Sequence, residues 1–313
     1  MKTIALLCNQ NPNEATFRIN FLGLLKASKD LGFHCDYLNN FTSYPDIILT
    51  QRQYSLTPET YNYLVDCKNN GTKIVTIIND VYKVDVPVML EWTKISDLIL
   101  TPTILHKQII QSITDTRVEV MMDCIDYSID TKFPSISNNS IPRICWFGYA
   151  ESYMKSMNIY HDIIEDLVSK GKMEFDLITS IKEDTKPPKE NFGLVKFNAS
   201  TFIEDIRKYD GCILSHTPLD WEINTFVKSP NKLILSIALG VPAIVSNTPS
   251  YSQILSHTNL SHFTFSGTES FIKSLNNLLD PKQRENYLTQ SQDYVVSNFN
   301  YKKMAQQLLN YIS

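Results

Sequence analysis

The segment KSPNK, which starts at Lys228, places anion-binding groups at the predicted start of a buried helix. Ser229 suits the N-cap position, and Pro230 suits the first helical position, where a missing N–H costs nothing. The N–H groups of a first helical turn and the helix dipole favour a negative charge. Lys232 adds a second positive charge, and Asn231 adds an amide. The segment predicts an anion-binding turn; a capped helix with solvated lysines is the alternative.

Polar residues also follow the predicted strands of the first half of the chain. Arg52, Asn79 with Asp80, and Thr103 come just after strands, in LTQRQ, IINDVY and LTPT. Asp80 is the predicted general base, since a carboxylate at a strand end can be tuned toward neutral pH. A turn or cap carboxylate is the alternative. Arg18 in ATFRINF could bind an anionic group such as a phosphate, or could be a surface arginine at a helix start.

Gly148 follows a predicted strand in WFGYAES, where a glycine allows the backbone to approach a phosphate closely. A plain strand-ending turn is the alternative. The chain has nine glycines and neither G-x-G-x-x-G nor G-x-x-x-x-G-K-[ST], which argues against NAD-binding and P-loop proteins. Its six histidines and six cysteines show no metal-ligand spacing. His216 in LSHTP could line a ligand pocket or be a loop histidine.

Short apolar runs alternate with amphipathic segments, the pattern of parallel α/β folds. The predicted strands are 3–8, 46–50, 73–78, 96–101, 118–122, 143–148, 175–179, 194–197, 211–215 and 242–246. The polar break at 131–142 is the predicted linker. We therefore predict two Rossmann-like, doubly wound domains, 1–137 and 138–300, which face a central cleft. The amphipathic segment 301–312 is predicted to pack back on the first domain.

Composition excludes several classes of protein. The chain has 313 residues, of which 43% are hydrophobic and 20% charged, as in a globular protein. The net charge of −4 disfavours binding to nucleic acid. We find no signal peptide and no apolar stretch near the roughly 18 residues that a membrane span needs. The predicted location is cytoplasmic.

Several segments together resemble one family. KSPNKLILSIALGVPAIVS resembles the donor-binding segment of GT-B glycosyltransferases, family 4-like. ATFRINFLGLLKASKDLG, DIILTQRQ, IINDVY and SDLILTPT occur in the order seen in bacterial polysaccharide transferases of this type, and RICWFGYAES resembles the start of their second domain. Each motif is short, but their order extends the resemblance over most of the chain.

The resemblance implies transfer of a sugar from a nucleotide-sugar donor to a glycan or glycolipid acceptor in surface polysaccharide synthesis. Contact with the inner face of the cell membrane or with other polysaccharide enzymes is a further expectation. Asp80 and Lys232 are the predicted catalytic residues. Lys232 also belongs to the predicted donor-binding residues, and the others are Gly148, Lys228, Ser229, Asn231 and Glu222. The predicted acceptor-binding residues are Arg18, Arg52, Asn79 and Thr103.

The chain departs from the family at one point. Many retaining members carry two glutamates in the donor segment, where this chain has Val227 and Leu235. Either Glu222 in DWEINTF replaces them or the donor differs, so the stereochemistry stays open. Asp80-Val81-Tyr82 is not the D-x-D of metal-dependent transferases. We therefore expect no metal and no cofactor besides the nucleotide-sugar, with the helix dipole and lysines stabilising the leaving diphosphate.

Two other functions fit the same fold. The missing glutamates are compatible with a non-catalytic GT-B-like subunit that binds nucleotide or glycan within a larger glycosylation assembly. A sugar-nucleotide 2-epimerase is the other alternative, although no matching cluster of catalytic carboxylates is seen in the sequence.

Overall fold

The computed structural model describes residues 2–52, 56–81, 86–126, 139–181, 186–216 and 223–313. The chain forms two compact units. Unit 1 comprises Met1–Tyr127, Phe226–Ser229 and Phe299–Ser313, and unit 2 comprises Ser128–Thr225 and Pro230–Asn298. The predicted boundary at residues 137 and 138 lies outside the described residues. The grouping of Phe226–Ser229 with unit 1 differs from the single continuous stretch that the sequence predicts for the second domain.

Unit 1 contains a parallel sheet of six strands in the order β2-β1-β3-β4-β5-β6. The strands are β1 (Thr3–Leu7), β2 (His34–Tyr37), β3 (Ile47–Gln51), β4 (Lys73–Ile77), β5 (Leu98–Thr101) and β6 (Val118–Val120). The helices that alternate with them are a π-helix (Phe17–Leu22) continued by α1 (Gly23–Leu31), then α2 (Pro58–Asn69), α3 (Val86–Ile95) and α4 (Ile104–Gln111). The strand order reverses direction between β1 and β3.

Both faces of this sheet are covered, as the alternation of side chains along a strand requires. Ile4 and Leu6 of β1 point into one apolar cluster, and Ala5 between them points into another. Local signals set the helix limits. Gly32 ends α1 with a left-handed φ of 72°, and Thr57 caps α2 by accepting a hydrogen bond from the Thr60 N–H.

Unit 2 contains a second six-stranded parallel sheet, in the order β12-β11-β10-β7-β8-β9. Its strands are β7 (Arg143–Phe147), β8 (Glu174–Thr179), β9 (Gly193–Lys196), β10 (Gly211–Leu214), β11 (Ala243–Ser246) and β12 (Thr264–Phe265). Its helices are α5 (Ala150–Met157), α6 (His161–Ser169), α7 (Phe202–Arg207), α8 (Ile223–Val227), α9 (Asn231–Ala238), α10 (Pro249–His257), α11 (Thr268–Leu279) and α12 (Pro281–Asn298). The last two residues of α8 belong to unit 1. The strand order reverses between β7 and β10, which is the classic Rossmann arrangement.

The C-terminal helix α13 (Tyr301–Ile312) packs on α1 in unit 1. Its buried face presents Met304, Leu308 and Ile312 to the apolar cluster that also contains residues of β1 and β3. Gly23 allows the close approach, because a Cβ there would lie 3.2 Å from the Met304 methyl group. Asn300 caps the helix through its side chain.

The predicted fold class, two doubly wound Rossmann-like domains, is confirmed by the two sheets. β2 and β12 are strands that the sequence pattern did not reveal, since each is short and lies at the edge of its sheet. Across the described ranges, no helix combines the length and the apolar character that a membrane span requires.

Candidate functional site

Gly148 lies directly after β7, at the carboxyl edge of the unit 2 sheet where the strand order reverses. Ligands of open α/β sheets bind outside this edge, at the reversal. Gly148 has a φ of 154°. A Cβ at this position would lie 2.6 Å from Lys232 Nζ and 2.7 Å from the Trp146 ring. Only glycine therefore permits this close approach, and two predicted donor-binding residues, 84 positions apart in the sequence, meet here.

Lys232, in the first turn of α9, lies over aromatic rings. Its Nζ is 5.1 Å from the centroid of Trp146 and 5.8 Å from that of Phe147, within the range of a cation–π interaction. The indole is fixed by hydrogen bonding, because Trp146 Nε1 donates to Ser215 Oγ at 3.0 Å and Ser156 Oγ lies 2.6 Å from Ser215 Oγ. The ammonium group therefore packs on the rings of Trp146 and Phe147, which form a rigid apolar platform at the end of β7.

Helix α9 begins at Asn231, one residue later than predicted. Pro230 occupies the N-cap position, and no side chain caps the helix. The predicted N-cap role of Ser229 is wrong, because its hydroxyl donates to the Asp123 carboxylate instead. The first turn of α9 still contains Asn231 and Lys232 in unit 2, with the helix dipole directed as an anion site requires.

His216 follows β10 at the same edge of unit 2. Its backbone N–H donates to Ser246 Oγ at 3.0 Å, and its Nε2 lies 3.1 Å from the Tyr251 hydroxyl. The two rings stack with centroids 5.2 Å apart. The imidazole is thus held by partners of its own unit.

In unit 1, the segment Phe226–Ser229 lies at the end of several strands. Val227 is fully buried in an apolar cluster with Ile99 of β5, and its carbonyl accepts a hydrogen bond from Thr103 Oγ1 at 3.2 Å. Lys228 Nζ lies 2.6 Å from Asp80 Oδ1. The apolar anchor and this ion pair explain why the segment belongs to unit 1. Lys228 and Ser229, both predicted to bind the donor, therefore lie beside residues predicted to bind the acceptor.

Asp123, which the sequence analysis missed, follows β6 in unit 1 and accepts the hydrogen bond from Ser229. It is 6% exposed. Burial raises its pKa to about 6, with a further contribution from the charge of Asp80, while hydrogen bonds from Ser229 and Asn20 oppose the shift. The signal was present, because MMDCIDYS places an aspartate just after a predicted strand as IINDVY does. A carboxyl with a pKa near 6 changes its charge close to neutral pH.

His106 is a second titratable group in this part of unit 1. It lies in the first turn of α4, which Thr103 caps by accepting from the His106 N–H at 3.2 Å. The imidazole is fully buried, and neither ring nitrogen has a hydrogen-bond partner among the described residues. Burial lowers its pKa to about 4, which the charge of Asp80 only partly offsets. The ring is therefore neutral at physiological pH.

The other predicted acceptor residues also lie in unit 1. Arg18 Nε pairs with Asp126 Oδ2 at 2.9 Å, and Asn79 Nδ2 donates to Thr16 Oγ1 at 2.9 Å. Arg52 follows β3, and its N–H extends the ladder to Ile77 O at 2.9 Å. Glu222 lies outside the described residues. The functional roles of all these residues stay predictions.

Metal binding was not expected from the sequence. Within the described ranges, no group of three or more His, Cys, Asp or Glu side chains is arranged to hold a metal ion. Metal independence of the reaction stays a prediction.

Comparison with solved structures identifies the fold. No family model and no curated protein matches the sequence. The structure is similar to that of TarM, with a TM-score of 0.63 at 9% identity over 85% of this chain and 54% of that chain. It is also similar to the UDP-GlcNAc 2-epimerase from Neisseria meningitidis bound to UDP-GlcNAc, with a TM-score of 0.51 at 15% identity over 99% of this chain and 100% of that chain.

A third similar structure is the glycosylation-associated Gap123 complex from Streptococcus agalactiae, with a TM-score of 0.54 at 12% identity over 91% of this chain and 57% of that chain. This chain spans about half the length of TarM. The two parallel Rossmann-like sheets and the similarity to these structures together show that the chain has the GT-B fold.

Proposed function

We propose that the chain is a glycosyltransferase that moves a sugar from a nucleotide-sugar donor to a glycan or glycolipid acceptor in surface polysaccharide synthesis. The observation that carries this proposal is the meeting of Gly148 and Lys232 at the strand reversal of unit 2. A glycine that admits close approach, a lysine and a helix N-terminus are the groups that a diphosphate needs. The similar structures support a nucleotide ligand, since a mutant of S. aureus TarM was solved with UDP and the epimerase with UDP-GlcNAc.

In the proposed reaction an acceptor hydroxyl oxygen bonds to the anomeric carbon of the sugar. The bond from that carbon to the diphosphate breaks, and its electron pair leaves with the nucleoside diphosphate. Lys232 and the first turn of α9 stabilise the negative charge that develops on the leaving group, which removes the need for a divalent metal. The proton of the acceptor passes to Asp80, which pairs with Lys228.

Lys232 is tested by its contribution to nucleotide affinity. Calorimetry with UDP, GDP, ADP and TDP should identify one base that binds. Lys232→Ala should weaken that binding by roughly 1.5–3 kcal/mol, the scale of a charge-assisted hydrogen bond. Lys170→Ala is the matched control, because this lysine of unit 2 is 62% exposed and pairs with Asp166 on its own helix. Equal affinities of the two variants for the nucleotide would sink the proposal.

A non-catalytic nucleotide- or glycan-binding subunit is the second candidate. Val227 favours it, because this position carries a glutamate in many retaining transferases and here is buried among apolar side chains. The similarity to Gap123 is compatible with it. Product analysis by NMR after incubation with a UDP-sugar and a glycan separates the candidates. New glycosidic linkages indicate transfer, a changed sugar epimer indicates an epimerase, and binding with no product indicates a subunit.

The same assay tests metal independence. We expect equal rates with excess EDTA and with added Mg²⁺ or Mn²⁺. An activity that disappears with the chelator and returns with the metal would show that leaving-group stabilisation by Lys232 and the helix dipole is insufficient.

A further inference from the structure

Two adjacent residues of the segment Phe226–Ser229 are held by two different carboxylates. Ser229 Oγ donates to Asp123 Oδ2, and Lys228 Nζ lies 2.6 Å from Asp80 Oδ1. The charges of the two carboxylates repel each other, since Asp80 contributes to the raised pKa of Asp123. The position of Lys228 and the charge around Asp80 are therefore linked through one buried carboxyl.

Asn20, in the π-helix of unit 1, is suited to either ionisation state of Asp123. It is 1% exposed, and its side chain donates a hydrogen bond that favours the ionised carboxylate. Its Oδ1 atom has no hydrogen-bond partner among the described residues. A half-turn of the amide would present this oxygen to a protonated carboxyl. The hydroxyl of Ser229 can likewise donate to the carboxylate or accept from the acid.

The ionisable and polar groups that face Asp123 come from several elements of unit 1. They are Asp80 after β4, Lys228 and Ser229 on the returning segment, Asn20 on the π-helix and the neighbouring Cys124. His106 lies within electrostatic range of Asp80, Arg52 and Lys228. When Asp123 is ionised, Lys228 faces two carboxylates. When Asp123 is protonated, Lys228 faces Asp80 alone.

We propose that Asp123 is a positioning residue for the transfer reaction: through Ser229 it fixes Lys228 beside Asp80, and its charge strengthens Asp80 as a proton acceptor. This inference rests on the proposed function. Asp123 itself is buried and does not touch the substrate. Repulsion between the two carboxylates is mutual, so the ionised form of Asp123 favours transfer of the acceptor proton to Asp80.

The first test is the dependence of kcat on pH between 5 and 8, with the UDP-sugar and glycan that the wild type turns over. The wild-type rate should rise about tenfold through an ionisation near pH 6, the effect of one unit of pKa. Asp123→Asn should remain at the low-pH rate, because its amide accepts from Ser229 but cannot ionise. Asp126→Asn, which removes a buried carboxylate paired with Arg18, should keep the rise whatever its absolute rate. A rise that persists in Asp123→Asn overturns the proposal.

The second test needs no turnover. Side-chain ¹³C NMR should show Asp80 titrating at lower pH in Asp123→Asn than in the wild type, and Ser229→Ala should shift the titration of Asp123. An unchanged Asp80 titration overturns the inference. If no UDP-sugar is turned over and no nucleotide binds, the proposed function fails, and the Asp80 titration still reports separately on the link between the two carboxylates.

Discussion

Lys228 and Lys232 are four positions apart in the chain, yet each is held by a different kind of partner. Lys228 belongs to unit 1 and pairs with a carboxylate, Asp80. Lys232 belongs to unit 2 and lies over the rings of Trp146 and Phe147. The ion pair ties Lys228 to the strand ends of unit 1, whereas the aromatic contact places the Lys232 ammonium group beside Gly148, where the strand order of unit 2 reverses. Because ligands of open α/β sheets bind at this reversal, the comparison assigns the proposed diphosphate to Lys232.

The two units also differ in how the chain builds them. Unit 1 is completed by the short returning segment and by the C-terminal helix, so its core contains residues from three separate stretches. The largest expected effect follows from this. Leu308→Ala should lower the free energy of unfolding of unit 1 by about 2–5 kcal/mol, because Leu308 is fully buried against strands of the first sheet.

Gln306→Ala on the exposed face of the same helix should change stability by less than about 0.5 kcal/mol. Hydrogen exchange resolved by peptide provides the measurement, with β1 and β3 expected to lose protection in Leu308→Ala. Retained protection of these strands would show that α13 is dispensable to the core of unit 1.

A substitution at Gly148 should disrupt most directly the packing of Lys232 on the apolar platform of unit 2. Gly148→Ala should cost roughly 2–4 kcal/mol of stability and reduce nucleotide binding, because it combines backbone strain with a clash against Lys232 Nζ and the Trp146 ring. Gly171→Ala is the matched control, since Gly171 has a φ of 64° and open space around it. In denaturant unfolding, Gly171→Ala should lower the free energy of unfolding by only about 1–2 kcal/mol, and its nucleotide affinity should be unchanged. A smaller cost at Gly148 than at Gly171 would contradict the packing described for the platform.

Two buried titratable groups of unit 1, Asp123 and His106, should make the free energy of unfolding depend on pH. Asp123 has a folded pKa of about 6, above the unfolded value, so the folded state binds an extra proton between pH 4 and 6. Its contribution to stability is present at low pH and is lost as the pH rises through 6. As the pH rises through this window, the free energy of unfolding of Asp123→Asn should therefore increase relative to that of the wild type by on the order of 2 kcal/mol. Unfolding measured at pH 4.5 and 7 tests the sign.

His106 should act in the opposite direction. Its folded pKa of about 4 lies below the unfolded value, so the unfolded state binds the extra proton between pH 4 and 6.5. Its contribution to stability is present at neutral pH and is lost as the pH falls. His106→Gln should remove that loss, and a stability that still falls by the same amount between pH 6.5 and 4 would assign the acid sensitivity to other groups.

The smallest expected effects are the losses of stability when either lysine is replaced by methionine. Lys228→Met should lower the free energy of unfolding by at most about 1 kcal/mol, since the ion pair of Lys228 is about one-third exposed and screened by solvent. Lys232→Met should cost a similar amount through the lost cation–π contact. The difference between the variants should appear in nucleotide affinity, measured by calorimetry, and similar losses of affinity would remove the distinction drawn from their partners.

The sequence predicted the regular strands well and the location of Lys228 poorly. Strands such as 143–148 and 211–215 are continuous apolar runs bounded by polar residues, and a buried parallel strand has few other options. Periodicity describes one element at a time, however. It does not show that Val227 joins the apolar cluster that contains Ile99, which draws Phe226–Ser229 into unit 1.

The candidate site was predictable only where a local signal accompanies it. Gly148 was found because it follows a strand, but the Trp146 ring beneath Lys232 depends on a tertiary contact. Asp123 had the same local signal as Asp80, and its pKa near 6 depends on burial that no single segment encodes. His106 reads as an ordinary helical residue in TILHKQIIQSI, and its burial likewise follows from packing.

The central claim is that unit 2 holds a nucleoside diphosphate beside Gly148 and Lys232. It is tested most directly by a crystal structure with UDP, or with the diphosphate that calorimetry selects. We predict phosphate oxygens within hydrogen-bond distance of Lys232 Nζ and beside the Gly148 backbone, at the first turn of α9. A nucleotide bound with its phosphates away from Lys232, or bound only through Lys228 in unit 1, would contradict the account.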